Sequence, residues 1–241
     1  MINSLRPANG FSGDDKRCEI KFVIGGIATE GIEPWILMHP ARFRRAYEHR
    51  WVNSIYFDNA VLGAYRDNLS GISNREKVRF RWYGDLEGAE DGNLEIKIKR
   101  NSLGSKILFH VTDLSLVHGD TWEPAILKLR KRIDTEALPF LDMYHLPVVA
   151  VRYFRKYFIS ADNRFRITID NHLVGLPQFN GSTVNLRRTV GESHRESIIE
   201  VKYSADNSSI ASHIIEGIPA RRSRYSKYVS LSGFALEGGF A

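Results

Sequence analysis

A chain of 241 residues that is 43% hydrophobic and 26% charged can build a folded core, and its formal net charge of +6 points to an acidic partner: nucleic acid, an anionic membrane surface or a phosphorylated small molecule. One cysteine, Cys18, excludes an internal disulfide framework and a zinc–thiolate cluster, which makes a reducing compartment the simplest expectation. The opening residues contain no apolar run of the signal-peptide kind, and the longest apolar run, around residues 146–151, falls far short of the roughly 20 residues of a membrane-spanning helix, so no membrane segment of its own is expected.

Residues 1–15 read as a disordered leader. Residues 17–24 read as a first strand, with Arg17, Glu19 and Lys21 on one parity and Cys18, Ile20 and Phe22 on the other. Residues 30–47 read as helical pieces interrupted by Pro34 and Pro40, each expected to start a helix rather than sit inside one. A second strand over 51–58 precedes a short helix over 60–69 that stops at Gly71. Residues 74–83 then put Lys77, Arg79 and Arg81 on one parity and Val78, Phe80 and Trp82 on the other. After a turn-like stretch, 94–99 repeats the alternation, predicting a hairpin with one basic and one apolar face.

Residues 106–111 continue that sheet. In 123–144, Ile126, Leu129, Ile133, Ala137 and Leu141 recur at helical spacing and predict an amphipathic helix whose solvated face carries the Lys128 to Arg132 cluster. A long strand over 147–160 sets Tyr153, Arg155 and Tyr157 on one parity, and a strand over 164–172 sets Arg166, Thr168 and Asp170 opposite Phe165, Ile167 and Ile169. The strand pattern over 183–190 is weak. That over 197–203 is clear, with Glu200 and Lys202 opposite Ile199 and Val201. Residues 208–217 look helical, and a basic segment over 221–228 leads to a Gly-rich end. Nothing marks a linker, so 16–231 is expected to be one domain and 232–241 a flexible tail.

About eight strands with one charged parity each raise the question of where the charges go. An open sheet leaves them in water, whereas a closed barrel turns them inward, which is tolerable only around water and a bound anion. The barrel fits better, because strands and helices are otherwise short of apolar partners. The expected fold class is therefore mainly β (α+β): a closed eight-stranded antiparallel β-barrel tunnel with flanking helices.

Phosphate-binding Gly-rich loops, nucleophile elbows and His-Glu-x-x-His are absent, and the histidines are scattered, which leaves carboxylates among basic residues as the working chemistry. A phosphate chain carries about one negative charge per bridging unit and needs Arg forks and Lys ammoniums in line along it. A carboxylate-held divalent metal then offsets charge on the reacting group. The pairs Glu19/Lys21, Glu95/Lys97 and Glu200/Lys202 each share a strand face; singly they read as exposed ion pairs, but with Arg79, Arg81, Arg155, Arg166 and Lys227 they make up such a site.

Taken in order, Arg17-x-Glu19-x-Lys21, Ser54-Ile-Tyr-Phe-Asp58, Lys77-Val-Arg79-Phe-Arg81-Trp-Tyr, Glu95-Ile-Lys97, Tyr153-Phe-Arg155, Arg166-Ile-Thr-Ile-Asp170, Ile199-Glu200-Val-Lys202 and Tyr225-Ser226-Lys227-Tyr228 resemble the vacuolar transporter chaperone (VTC) domain, the polyphosphate polymerase branch of the triphosphate tunnel metalloenzymes. The resemblance spans about residues 17–231 and implies transfer of the terminal phosphate of ATP to a growing polyphosphate, usually with Mn²⁺, or with Mg²⁺. It implies catalytic roles for Arg79, Arg81, Lys97 and Arg155. Lys21, Lys106, Tyr153, Arg166, Lys202, Arg224 and Lys227 would bind substrate, and Glu200, with Glu19, would bind metal. A cytoplasmic location is implied, at the inner face of a membrane if a separate membrane protein partner moves the product, and no nucleic acid partner is expected.

One departure matters. The hydrolytic branch of that superfamily opens with Glu-x-Glu-x-Lys, whereas Arg17 stands here in place of the first glutamate, removing a ligand from a two-metal arrangement that could activate water. Transfer to phosphate is thus expected over transfer to water. The rival readings are a tripolyphosphatase or nucleoside triphosphatase on the same fold, a non-catalytic polyphosphate- or inositol-phosphate-binding module, and an RNA-binding protein. The last is weakened because Phe80 and Trp82 lie on the parity opposite Arg79 and Arg81.

Overall fold

The alternation of charged and apolar residues produces one antiparallel sheet flanked by helices. The computed structural model describes residues 17–25, 28–100, 103–178, 181–193, 196–220 and 222–237, and the expected leader lies outside them. In chain order the elements are β1 (Arg17–Gly25), α1 (Ala28–Met38), β2 (Arg44–Arg45), β3 (Arg50–Asp58), α2 (Gly63–Leu69), β4 (Arg75–Tyr83), β5 (Gly92–Arg100), β6 (Leu103–Val111), α3 (Trp122–Arg132), α4 (Leu138–Met143), β7 (Leu146–Ile159), β8 (Phe165–Pro177), β9 (Val190–Ser193), β10 (Glu196–Ser204), α5 (Ser208–Ile215) and α6 (Lys227–Glu237). The sheet runs β1-β10-β8-β7-β3-β4-β5-β6, with β2 added on β7 and β9 on β8.

The sheet is open, which corrects the expected closed barrel: among the described residues no ladder joins β6 to β1. The free edge of β1 is instead taken by the segment before α6, where Phe22 bridges Arg222 and the Ser223 N–H donates to the Lys21 carbonyl at 2.8 Å. Twist still curls the sheet on itself. Lys97 of β5 lies in the field of Glu19 and Lys21 of β1, from the far part of the strand order, and Lys77 of β4 feels Lys21 as well. The charged parities of distant strands therefore face one another across a concave surface.

The apolar parities build two cores on the other side. Val78, Phe80 and Trp82 of β4 and Leu94 and Ile96 of β5 are fully buried in the larger cluster, which reaches Ala64 of α2, Leu129 of α3 and Leu231 of α6. Phe22 and Ile24 of β1 share the smaller one with Ile32 and Ile36 of α1 and Ala211 of α5. Fully burying a side chain of this size contributes about 1.5–3 kcal/mol. This burial supplies the counterweight to a face crowded with cations.

Several elements differ from expectation for identifiable reasons. Pro34 sits inside α1, because Ile32 and Ile36, one on each side of it, are both buried and hold the helix on the sheet despite the lost backbone bond. The helix expected over 123–144 is two. Ile133 turns extended, and Pro139 belongs to the first turn of α4, where its missing N–H costs nothing. Over 183–190 only an isolated bridge, Thr121 with Thr183, forms, and the strand β9 begins at Val190. From Lys227 the chain forms α6 as far as Glu237, including the start of the stretch expected to be a tail.

Candidate functional site

The concave face is assembled by register. Cross-strand pairing sets Lys97 beside Lys77 and Lys106, Glu95 beside Arg79, Arg79 beside Tyr56, and Arg81 beside Ser54. Glu95, only 4% exposed, accepts from Arg79 Nε at 2.6 Å and from Lys106 Nζ at 2.7 Å, with Arg81 Nη1 at 3.7 Å. Burial pushes its carboxyl up, but Arg79, Arg81 and Lys106 outweigh that and hold it below the usual carboxylate range. Arg79 also donates to Tyr56 Oη at 2.9 Å. Arg81 is 8% exposed, and its guanidinium donates to two hydroxyls, Ser54 Oγ and Tyr153 Oη, both at 3.2 Å. Of the two arginines, Arg81 has the less neutralised charge.

A second knot forms around Asp170, which is completely buried. Arg155 grips it as a fork, Nε to Oδ1 at 2.5 Å and Nη2 to Oδ2 at 2.6 Å, and Lys227 Nζ reaches Oδ2 at 2.5 Å. Burial again raises the Asp170 carboxyl, and Arg155 and Lys227 pull it below its ordinary value. Both cations border the Tyr153 ring, Arg155 at 5.1 Å and Lys227 at 4.7 Å. Lys227 reaches this place from α6, not from a strand. The next residue, Tyr228, donates to Asp58 Oδ2 at 2.5 Å, and Asp58 also accepts from the Ala64 and Tyr65 N–H groups at the start of α2, each at 2.9 Å. One buried carboxylate thus caps α2 and fixes α6 to it.

A third group joins β1 to β10. Lys21 Nζ lies 2.8 Å from Glu19 and 3.6 Å from Glu200, while Lys202 Nζ lies 2.5 Å from Glu200 and 3.8 Å from Glu19. Glu200, 6% exposed, is driven up by burial but held well below its ordinary value by Lys202, Lys21, Arg155 and Lys227. Burial and Glu200 push Glu19 up, and Lys21 and Lys202 outweigh both. No group of three or more potential metal ligands exists among the described residues. A hard cation in phosphate chemistry needs fewer, since Mg²⁺ is commonly held by one or two carboxylates with phosphate oxygens and water completing the shell. Two adjacent, ionised carboxylates on a face that would hold a phosphate chain fit that donor set.

The structure brings together most of the residues expected at the site: Lys21, Arg79, Arg81, Lys97, Lys106, Tyr153, Arg155, Lys202, Lys227, Glu19 and Glu200. Arg166 is in register with Lys202 on the same face. Arg224 is different. It lies exposed beside the Gly71 turn. The side chain of Arg17 lies outside the described residues. Sequence reasoning left Asp170, Tyr56, Ser54 and Lys77 without roles, although their strand parity was the available signal. Lys77 donates to Ser226 Oγ at 3.0 Å, and burial, then Lys21 and Lys97, lower it to about 7. Burial also lowers Lys106 to about 8, despite Glu95.

A family model described as the VTC domain matches residues 16–233. The chain belongs to the VTC domain family. No curated protein matches it. Among solved structures, a candidate adenylyl cyclase from Hippeastrum, described as having a dominant triphosphatase activity, is 14% identical with a TM-score of 0.49, covering 91% of this chain and 95% of its own. A candidate adenylate cyclase from Vibrio parahaemolyticus is 10% identical with a TM-score of 0.42, covering 84% and 83%. At these TM-scores neither bears on the chemistry of this VTC domain. No helix among its described residues is long and apolar enough to cross a membrane.

Proposed function

We propose that this VTC domain transfers the γ-phosphoryl group of ATP to a growing inorganic polyphosphate chain held along the concave face. The observation that carries the reading is the continuity of cations over that face. Arg79, Arg81, Arg155 and Lys227 adjoin one another around Tyr56 and Tyr153, and Lys77, Lys97 and Lys106 follow in register. A polyanion is the ligand that relieves their mutual repulsion.

The chemistry asks little beyond positioning. Phosphoryl transfer passes through a state whose charge is spread over the equatorial oxygens, so donors fixed in a poorly hydrated site lower its energy. Arg81, tethered only by neutral hydroxyls at close range, is free to redirect a donor towards that charge, and Arg155 and Lys227 hold the adjoining phosphates. The terminal phosphate oxygen of an acceptor chain is already ionised near neutral pH, so no general base is needed. Glu200 and Glu19 are the residues that would hold a divalent metal, Mn²⁺ or Mg²⁺. Bound there, such an ion supplies charge neutralisation on the reacting phosphoryl group.

The experiment is incubation of purified protein with ATP and Mn²⁺, with products separated on a gel stained for polyphosphate, alongside Glu200→Ala. A ladder of long chains that disappears in the variant is expected. Orthophosphate without a ladder would make the domain a hydrolase, and polyphosphate binding without turnover would make it a binding module.

A further inference from the structure

Three neighbouring strands, β4, β3 and β7, carry the central cations, and their inner rows end together. The row of β4 runs Lys77, Arg79, Arg81 and then Tyr83. That of β7 runs Tyr153, Arg155 and then Tyr157, and that of β3 ends at Arg50, which pairs across the ladder with Arg155. At this end the residue types change from point charges to flat groups. The Arg50 guanidinium lies 3.8 Å from the Tyr83 ring centroid and 5.4 Å from that of Tyr157, and its Nε donates to Tyr157 Oη at 3.2 Å. The Tyr157 ring in turn meets Tyr47 edge-on at 5.7 Å. Beyond Tyr47 the surface continues into a cleft of about 280 Å³ lined by Arg45, Ala46, Tyr47, Glu48 and His49.

The tyrosines deeper on the same face are used differently. Tyr56 and Tyr153 are buried, 5% and 1% exposed, with their hydroxyls accepting from Arg79 and Arg81. Tyr83 and Tyr47 leave 42% and 44% of their surface in water. A phosphate chain makes no use of exposed rings. An unpaired base does, since it stacks on aromatic and guanidinium planes irrespective of its sequence identity.

We propose that Arg50, Tyr83, Tyr157 and Tyr47 form a stacking shelf for the nucleobase of the nucleoside triphosphate, beginning at the Arg50 that pairs with Arg155, the residue that receives its phosphates. The assignment rests on the phosphoryl-transfer reading above. It makes the end of the face formed by β4, β3 and β7 the nucleotide entrance, and leaves the Lys77, Lys97 and Lys106 end to the base-free polymer. Because stacking is indifferent to hydrogen-bonding pattern, the shelf accepts purine triphosphates in general and favours them over pyrimidine ones through their larger ring area.

Calorimetric titration without divalent metal, using ATP and inorganic tripolyphosphate as probes, separates base from phosphate. For Tyr83→Ala and Tyr47→Ala, ATP affinity is expected to fall about 5- to 150-fold, the range of one lost base stack. Tripolyphosphate affinity should stay within about twofold, and Tyr83→Phe should restore ATP binding. An equal loss for both probes would overturn the shelf by making these residues part of the phosphate face, and unchanged ATP affinity in both alanine variants would overturn it outright. Wild-type protein that binds neither probe would instead sink the phosphoryl-transfer reading, and the shelf with it.

Discussion

Arg81 and Lys77 stand on the same strand face four residues apart, and their surroundings give them different physics. Arg81 donates to the Ser54 and Tyr153 hydroxyls and lies 3.7 Å from Glu95, whose closer partners are Arg79 and Lys106, so Arg81→Ala removes a charge from the proposed substrate face while Glu95 keeps two cations. Turnover is expected to fall by about 100-fold or more, the scale of one lost transition-state donor, with the circular dichroism spectrum unchanged. Lys77 is buried among Lys21, Lys97, Arg75 and Arg79, which brings it to about 7 from the roughly 10.4 of an unfolded lysine. Between those values the unfolded chain binds more protons at this position than the native one, so native stability rises with pH from about 7 towards 10. Thermal melts of ligand-free protein should show Tm climbing between pH 6.5 and 9, and Lys77→Met should flatten part of that climb. On the proposed function, bound polyphosphate is expected to reverse the balance: by cancelling the like charges it would return a proton to Lys77, so titrations at pH 8 should show proton uptake, read as a heat that depends on the buffer.

At the scale of elements, the placing of α6 depends on one side chain of β3. Asp58 receives two N–H groups of α2 and the Tyr228 hydroxyl, while burial and Asp58 together keep that phenol protonated far above its ordinary range. Asp58→Ala strands these donors in the core, and a loss of about 3 kcal/mol is expected, combining a helix cap with an unsatisfied buried hydroxyl. For a chain of this size that corresponds to a drop of roughly 6–12 °C in Tm, measurable by calorimetry. Lys227 begins the same helix, so polyphosphate affinity should weaken with it. The strands themselves were legible from alternation, because each has one buried and one charged face. The helices were less so: α1 passes through Pro34 and the 123–144 stretch breaks at Ile133, since buried neighbours on the sheet, and not local propensity, decided both.

For the molecule as a whole, the net charge of +6 understates the field inside the curl, where Lys77 and Lys97 share a field with Lys21 from the far part of the strand order and neighbouring strands gather further cations around a few carboxylates. Binding of a long phosphate chain should stabilise the fold by mass action, about 2.7 kcal/mol at a ligand concentration 100 times Kd. Added salt should erode that gain, since it screens the attraction that assembles the complex. Thermal shift with polyphosphate at 50 mM and 500 mM NaCl tests this. An equal shift at both salts would mean that the concave face is not where the polymer lies.

Parity along the chain determined which residues share a face, and so gave Arg79 and Arg81, Glu200 and Lys202, and Phe80 and Trp82 their sides, because a strand points successive side chains to opposite faces. Alternation is a local property and carries no information about which strands become neighbours or whether the ends of the sheet meet. Only the tertiary structure decided that the sheet stays open with Arg222 and Ser223 on its edge, that Asp170 pairs with Arg155 and Lys227, and that Lys77 is surrounded by like charges. Most of these contacts join residues on different elements, such as Lys77 with Lys21 and Asp170 with Lys227, and are fixed by how the twisted sheet curls and by where burial pulls α6.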